Sequence, residues 1–232
     1  MRLLPQFRQL SDSFIDVFYP KTCSICSNSL YLSENHICVA CAYDLPYIVQ
    51  SEIVLQNLQK LFWNRVKVEH VFALLNYQKG NQVQRLLHLL KYQQRKRLGE
   101  YYGEILGASL PKDLGIDLII PVPLHPKKLH QRGFNQSSTI AKGISTVMQI
   151  PVDEKVMVRN SYNLSQTKFT KYDRWENVRT IFSVIDEHKL RNKHVLLIDD
   201  VLTTGATIEA CAKELVKIEN CTVSIATLAA RV

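Results

Sequence analysis

Long apolar runs are missing from this 232-residue chain. No stretch approaches the roughly 18 residues that a membrane helix needs, so no membrane insertion is expected. An uninterrupted secretory signal is missing too, because Arg8, Asp12 and Asp16 break up the amino-terminal segment where its apolar core would have to lie. The expectation is a cytoplasmic protein. No internal repeat or low-complexity tract is evident. Acidic charge is in short supply: 21 Asp and Glu face 29 Lys and Arg, for a net charge of +8. That excess favours anionic partners, among which nucleic acid and phosphorylated metabolites both qualify. The rest of the composition, 46% hydrophobic and 22% charged, is globular, and the length suits one large domain with a small appendage.

The most informative stretch is VLLIDDVLTTGATI, Val195 to Ile208. Val195 to Ile198 form a short apolar run of the kind found in a parallel strand buried on both faces. Two carboxylates, Asp199 and Asp200, are expected at its carboxyl end, followed by Thr203, Thr204, Gly205, Ala206 and Thr207. A helix should then begin, with Ile208, Cys211, Ala212 and Leu215 on one face. This order gathers free backbone N–H groups, threonine hydroxyls and a positive helix end around a volume that suits a phosphate. The carboxylates can accept hydrogen bonds from vicinal hydroxyls or hold Mg²⁺ through water. A sugar 5-phosphate with free 2- and 3-hydroxyls satisfies both halves. The plainer alternative is a buried strand leading into a Thr-capped helix.

From the amino terminus, Leu3, Phe7, Leu10, Phe14 and Phe18 have the spacing of an amphipathic helix, packed on its own domain or turned to a membrane surface or partner. Cys23, Cys26, Cys38 and Cys41 follow as C-x2-C-x11-C-x2-C. Two such knuckles supply four thiolates to one Zn²⁺, and a segment too small for its own core gains folding free energy from the metal. Disulfides fit poorly without an export signal. His36 is a possible substitute for one sulfur, and Cys211 and Cys221 read as reduced core residues. The expected organisation is a helix and four-cysteine module over 1–46, a connecting helix over 47–70 carrying Leu55, Leu58, Leu61 and Phe62, and an α/β domain over 71–232.

Two basic segments interrupt the larger part. Lys91, Tyr92, Arg95, Lys96 and Arg97 end a helix that carries Val83, Leu86, Leu87 and Leu90 on one face. Cations beside an aromatic are what a single-stranded nucleic acid site needs, and a solvated helix end is the alternative. After the apolar run Leu118 to Val122, the loop Pro123 to Gln136 packs Lys127, Lys128, His130 and Arg132 into a few residues. Leaving a parallel strand beside the 195–208 loop, it would converge on the same crevice and suit a pyrophosphate. The next helix should place Ile140, Ile144, Val147 and Met148 on one face. Asn160 to Arg179 is long, polar and poorly periodic, the pattern of a functional loop such as a mobile cover. Ile181 to Val184 and Val223 to Leu228 supply further strands to a mostly parallel sheet.

Residues 195–208 resemble the signature of type I phosphoribosyltransferases, which bind phosphoribosyl pyrophosphate (PRPP). With the FYPKTCSIC block and its second CxxC, LLHLLKY, IIPVPLHPKKLHQRGFNQ, and SQT…ENVRTIF, the chain is similar over nearly its whole length to the ComF (ComFC-like) competence proteins. The resemblance implies a type I phosphoribosyltransferase fold, a mostly parallel sheet flanked by helices, joined to a four-cysteine zinc module. It implies cytoplasmic handling of single-stranded DNA in natural transformation. Carried onto these residues, it gives Asp199 and Asp200 the ribose hydroxyls and Mg²⁺, and Thr203 to Thr207 the 5-phosphate. Lys127 to Arg132 would face pyrophosphate, Ser161 to Arg179 would form the cover, and Lys91 would contribute from the LKY block. The 6-oxopurine phosphoribosyltransferases carry an acid where Thr203 stands, so hypoxanthine or guanine salvage is disfavoured. Three roles remain open: a PRPP and DNA binder of the competence type, a working transferase, and an adaptor whose zinc module docks proteins of the uptake machinery.

Overall fold

The computed structural model describes residues 21–31, 33–92, 96–160 and 181–231. The chain divides into two compact units, 1–46 and 47–232. The expected helix over 1–18 and the polar segment 161–179 lie outside the described residues. Residues 47–70, expected as a connector, belong to the larger unit.

The smaller unit has little apolar material to fold around. Apart from three of its cysteines, the buried hydrophobic residues among those described are Ile25, Ile37 and Leu45. At about 1.5–3 kcal/mol each, they cannot offset the ordering of the roughly 25 described residues at about 1–2 kcal/mol per residue. Its backbone turns tightly at the first knuckle, where Cys23 N donates to the Asn28 carbonyl (2.7 Å) and Ser27 N to the Cys23 carbonyl (2.9 Å). Ser27 there takes a left-handed φ of 67°. Helix α1 (Val39–Tyr43) follows the second knuckle.

The larger unit runs α2 (Glu52–Lys60), β1 (Val71–Asn76), α3 (Gln82–Tyr92), α4 (Lys96–Ser109), β2 (Leu118–Pro121), α5 (Pro126–Arg132), α6 (Gln136–Met148), β3 (Met157–Arg159), β4 (Phe182–Val184), β5 (His194–Leu202), α7 (Ala206–Leu215) and β6 (Thr222–Ala230). Strands β1, β6, β5 and β2 form one sheet in that spatial order, and all neighbours are parallel. Val195 to Ile198 are fully buried, as a central parallel strand requires. Alternate residues serve opposite faces. Val195 and Leu197 join Ile208, Cys211, Ala212 and Leu215 of α7 in a core that also takes Leu58 and Phe62. Helix α6 packs on β2 and β5, and α4 packs on α6, β1 and β6. Cys211 and Cys221 are buried and unbridged.

Helices α4 and α6 approach until their backbones touch. A Cβ on Gly103 would overlap the Ile140 carbonyl oxygen, and one on Gly143 would overlap the Glu100 carbonyl oxygen. This contact fixes α6, whose first turn helps build the site.

Several elements differ from the sequence expectation. Strand β5 does not end before the acids but continues to Leu202, because Asp199 pairs with Thr227, Val201 with Ala229 and Leu202 with Ala230 on β6. Helix α7 starts at Ala206, so Ala206 and Thr207 are its first turn. Phe182–Val184 does not join the parallel sheet but pairs antiparallel with Met157–Arg159 in a separate two-stranded sheet. The stretch expected as a basic loop contains helix α5, with Pro126 in its first turn and Gly133 left-handed at its end (φ 75°), both standard helix punctuation. Val147, expected on the buried face of α6, is 43% exposed.

Candidate functional site

The carboxyl ends of β2 and β5 and the helices that follow them meet at one place. Val122 N donates to the Ile198 carbonyl (2.8 Å), keeping the chain against β5 just past the end of β2. Residues 123–134 then leave and return, because Asn135 Nδ2 donates to the Val122 carbonyl (2.9 Å). Asn135 also caps α6, its Oδ1 accepting from Ser137 N at 3.2 Å. The cap and the α4 contact together bring the Ser137 hydroxyl to Asp199, where it donates to Oδ1 (3.0 Å). The same oxygen accepts from Asp200 N at 2.9 Å. From the other side, Lys91 in the last turn of α3 reaches Asp200, with Nζ 2.8 Å from Oδ2.

The two carboxylates are thus held in different ways. Burial pushes the Asp199 carboxyl up to about 7 and the Asp200 charge adds to the rise, against the Asp200 N–H, the Ser137 hydroxyl and Lys91. Asp200 has Lys91 as its direct counter-ion. Two adjacent carboxylates bearing hard oxygen donors fit Mg²⁺, held through one or two carboxylates and water.

Beyond the acids, Thr203 and Thr204 are exposed and Gly205 is buried. Gly205 turns the chain into α7 at a φ of 76°. A side chain there would also press on Phe62, with Cβ 3.3 Å from its ring, so glycine is needed twice over. Thr204 Oγ1 accepts from Ala206 N at 3.5 Å. The N–H groups in the first turn of a helix lack intrahelical acceptors, so the start of α7 suits an anion. Arg65, which sequence reasoning missed, stands beside this turn. Its Nη1 donates to the Thr204 carbonyl (3.4 Å) and lies 3.5 Å from Glu209 Oε2. It also lines an open cleft of about 550 Å³ with Trp63 and Lys67. Neither Arg65 nor Ser137 sits in a recognisable motif, and only the fold brings them in.

The basic residues do not all converge. Lys127, Lys128 and His130 are exposed on α5, while Arg132 Nη1 donates back to Gln136 Oε1 (2.7 Å). Of the run read as a nucleic-acid candidate, Lys91 is drawn into the acid pair. Lys96 lies 5.9 Å from the Phe134 ring centroid, and Arg97 is exposed. Arg95 and the Tyr92 side chain lie outside the described residues. Between α5, α6 and β3 is a second cavity, of about 370 Å³, lined by Leu124, Leu129, Phe134, Ser138, Met157 and Arg159 among others.

In the smaller unit the four cysteine sulfurs all lie within 4.8 Å of one another. Cys26 and Cys38 Sγ are 3.7 Å apart, close to the about 3.8 Å between sulfurs on a tetrahedron with Zn–S of about 2.3 Å. Backbone N–H groups of Ile25 (3.4 Å) and Cys38 (3.3 Å) donate to Cys23 Sγ, and Cys41 N donates to Cys38 Sγ (3.5 Å). Burial pushes the Cys23 thiol up, but N–H groups of Cys26, Cys38 and Ile25 outweigh it and bring it down to about 6. Cys41 is driven well above its ordinary value by burial and by the neighbouring sulfurs. The donor set and its spacing suggest a zinc site. His36 is not needed to complete it.

Residues 135–232 match the phosphoribosyl transferase domain family. The match spans α6, the acid pair, the threonine turn and β6, so the larger unit is an α/β phosphoribosyltransferase fold. Over 215 residues the chain is 25% identical to competence protein F of Haemophilus influenzae, covering 87% of this chain and 93% of that protein. It is 27% identical over 143 residues to the DNA utilization protein YhgH of Escherichia coli, covering 57% of this chain and 60% of that protein. Among solved structures, the glutamine PRPP amidotransferase from B. subtilis aligns with a TM-score of 0.45 at 17% identity, over 61% of this chain and 30% of that one. The chain is therefore similar to the competence protein F and YhgH proteins, and its phosphoribosyltransferase domain is preceded by a four-cysteine cluster. None of its described helices is long and apolar enough to cross a membrane.

Proposed function

We propose that the protein binds PRPP or a related phosphoribosyl ligand with Mg²⁺, carries Zn²⁺ on its four cysteines, and handles single-stranded DNA in the cytoplasm during natural transformation or DNA uptake, alongside proteins of the uptake machinery. The observation that carries this reading is the acid pair set directly before the glycine turn into α7. In this reading Asp199 and Asp200 accept from the ribose 2- and 3-hydroxyls. The 5-phosphate sits on the N–H groups and hydroxyls of Thr203 to Thr207. Lys127, Lys128 and Arg132 approach the diphosphate from α5. Bound Mg²⁺ offsets the charge gathered on the diphosphate. The DNA half is supported by the net charge of +8, by the exposed Lys96 and Arg97, and by the names of the competence and DNA utilization relatives.

A second reading is a working transferase that joins ribose 5-phosphate to a nitrogen acceptor and releases pyrophosphate. The cavity of about 370 Å³ favours it, because it opens beside Ser138 and would accommodate an acceptor. Calorimetric titration of the zinc-loaded protein with PRPP and Mg²⁺, with and without a short single-stranded DNA and at two salt concentrations, tests both. Micromolar PRPP binding is expected, lost in an Asp199→Ala, Asp200→Ala double variant, with DNA binding that weakens at higher salt. No PRPP binding under any condition would overturn the phosphoribosyl reading and favour the adaptor. Pyrophosphate released only when a particular amine or base is added would establish the transferase.

A further inference from the structure

The acid pair already holds a cation, and the chain itself supplies it. Lys91 Nζ is 2.8 Å from Asp200 Oδ2, and the two side chains are 25% and 12% exposed. A contact this short and this shielded is distinct from the loosely held surface pairs elsewhere, such as Lys67 with Glu69 at 3.5 Å and 85% lysine exposure. Asp199 Oδ1 is meanwhile committed to two donors, the Ser137 hydroxyl and the Asp200 N–H. A divalent cation entering alone would have to share Asp200 with an ammonium a few ångströms away, and in a partly desolvated site that repulsion is large. Lys91 lies in the last turn of α3, so a long, flexible side chain can withdraw without disturbing the sheet.

We propose that Lys91 is the resident counter-cation of the acid pair. It keeps a divalent metal off Asp199 and Asp200 until a diphosphate-bearing sugar draws the ammonium away, so that metal and ligand enter together. The ligand-bound half of this inference rests on the phosphoribosyl reading, and the metal-alone half does not.

Mn²⁺ is the probe, followed by electron paramagnetic resonance on zinc-loaded wild type, Lys91→Met, Lys91→Arg and Lys91→Met/Asp200→Asn, with and without PRPP. Without PRPP, Lys91→Met is expected to bind Mn²⁺ roughly tenfold or more tightly than wild type. Lys91→Arg should stay at the wild-type value, and the added Asp200→Asn should remove the gain. With PRPP present, the Mn²⁺ affinities of wild type and Lys91→Met should converge. Equal Mn²⁺ affinity of wild type and Lys91→Met without PRPP, with matching melting temperatures, would overturn the inference. Should Lys91→Met lose its cooperative melt, Lys91→Gln carries the same comparison. Failure of PRPP to bind any of these proteins would overturn the phosphoribosyl reading instead, and the metal-alone comparison would still decide the role of Lys91.

Discussion

The four cysteines and the two aspartates are both concentrations of anionic donors, and the molecule neutralises them in opposite ways. Around the sulfurs the compensating groups are backbone N–H donors, which stabilise one thiolate at Cys23 while Cys41 is driven toward its neutral form. Around the carboxylates there is a full positive charge, Lys91 on Asp200. The sulfur cluster is therefore expected to need a metal to become uniformly anionic and to hold its unit together. The carboxylate pair is balanced without one and sits on a sheet that folds through apolar burial. In the proposed reading, a metal would be part of the structure in the first region and part of the ligand in the second.

The comparison breaks most severely if zinc is not structural. Cys38→Ser, or chelation, should unfold the small unit, since a structural zinc contributes about 10–16 kcal/mol of binding free energy. Limited proteolysis should then cut within 21–46 and spare β5 and β6. On the apolar side, Gly103→Val should cost about 3 kcal/mol in denaturant unfolding, because the new atoms meet the Ile140 backbone, which cannot move aside.

A subtler test uses pH. The carboxyl of Asp199 is raised in the folded protein to about 7, so between about pH 4 and 7 the native state binds more protons than the unfolded one. Stability should fall as pH rises through that window, by up to about 1.4 kcal/mol per pH unit, and level off above it. Asp199→Asn should flatten the profile of zinc-loaded protein measured without Mg²⁺. The smallest effect is expected from Ser137→Ala, which removes one hydroxyl donor from Asp199. It should cost about 1 kcal/mol and move the same pH window upward.

The site is legible in the sequence where chemistry is local. The paired CxxC spacing and the DDVLTTGAT run name their own neighbours. The end of β5 is not legible, because the apolar run stops at Ile198 while the strand is carried on by pairing with β6, which no local pattern records. Helix α5 is short and has no buried residue, so it shows no hydrophobic period, and only Pro126 and Gly133 signal it. The pairing of β4 with β3 rather than with the parallel sheet is hidden as well, because three-residue strands carry too little alternation to fix a partner. Ser137, Arg65 and the grip of Lys91 on Asp200 come from distant segments that only the folded sheet and the close α4 and α6 contact bring into reach.

Because β5 runs on through the acids to Leu202, where Arg231 N still donates to its carbonyl at 3.1 Å, both carboxylates are mounted on backbone that is cross-linked to its neighbour strand. They form a fixed wall. Whatever accommodates an arriving ligand must move on the opposite side of the crevice, where side chains approach from helices outside the sheet. Backbone amide order parameters of 199–202 should stay high and unchanged when a ligand binds, while those around Lys91 and α5 change.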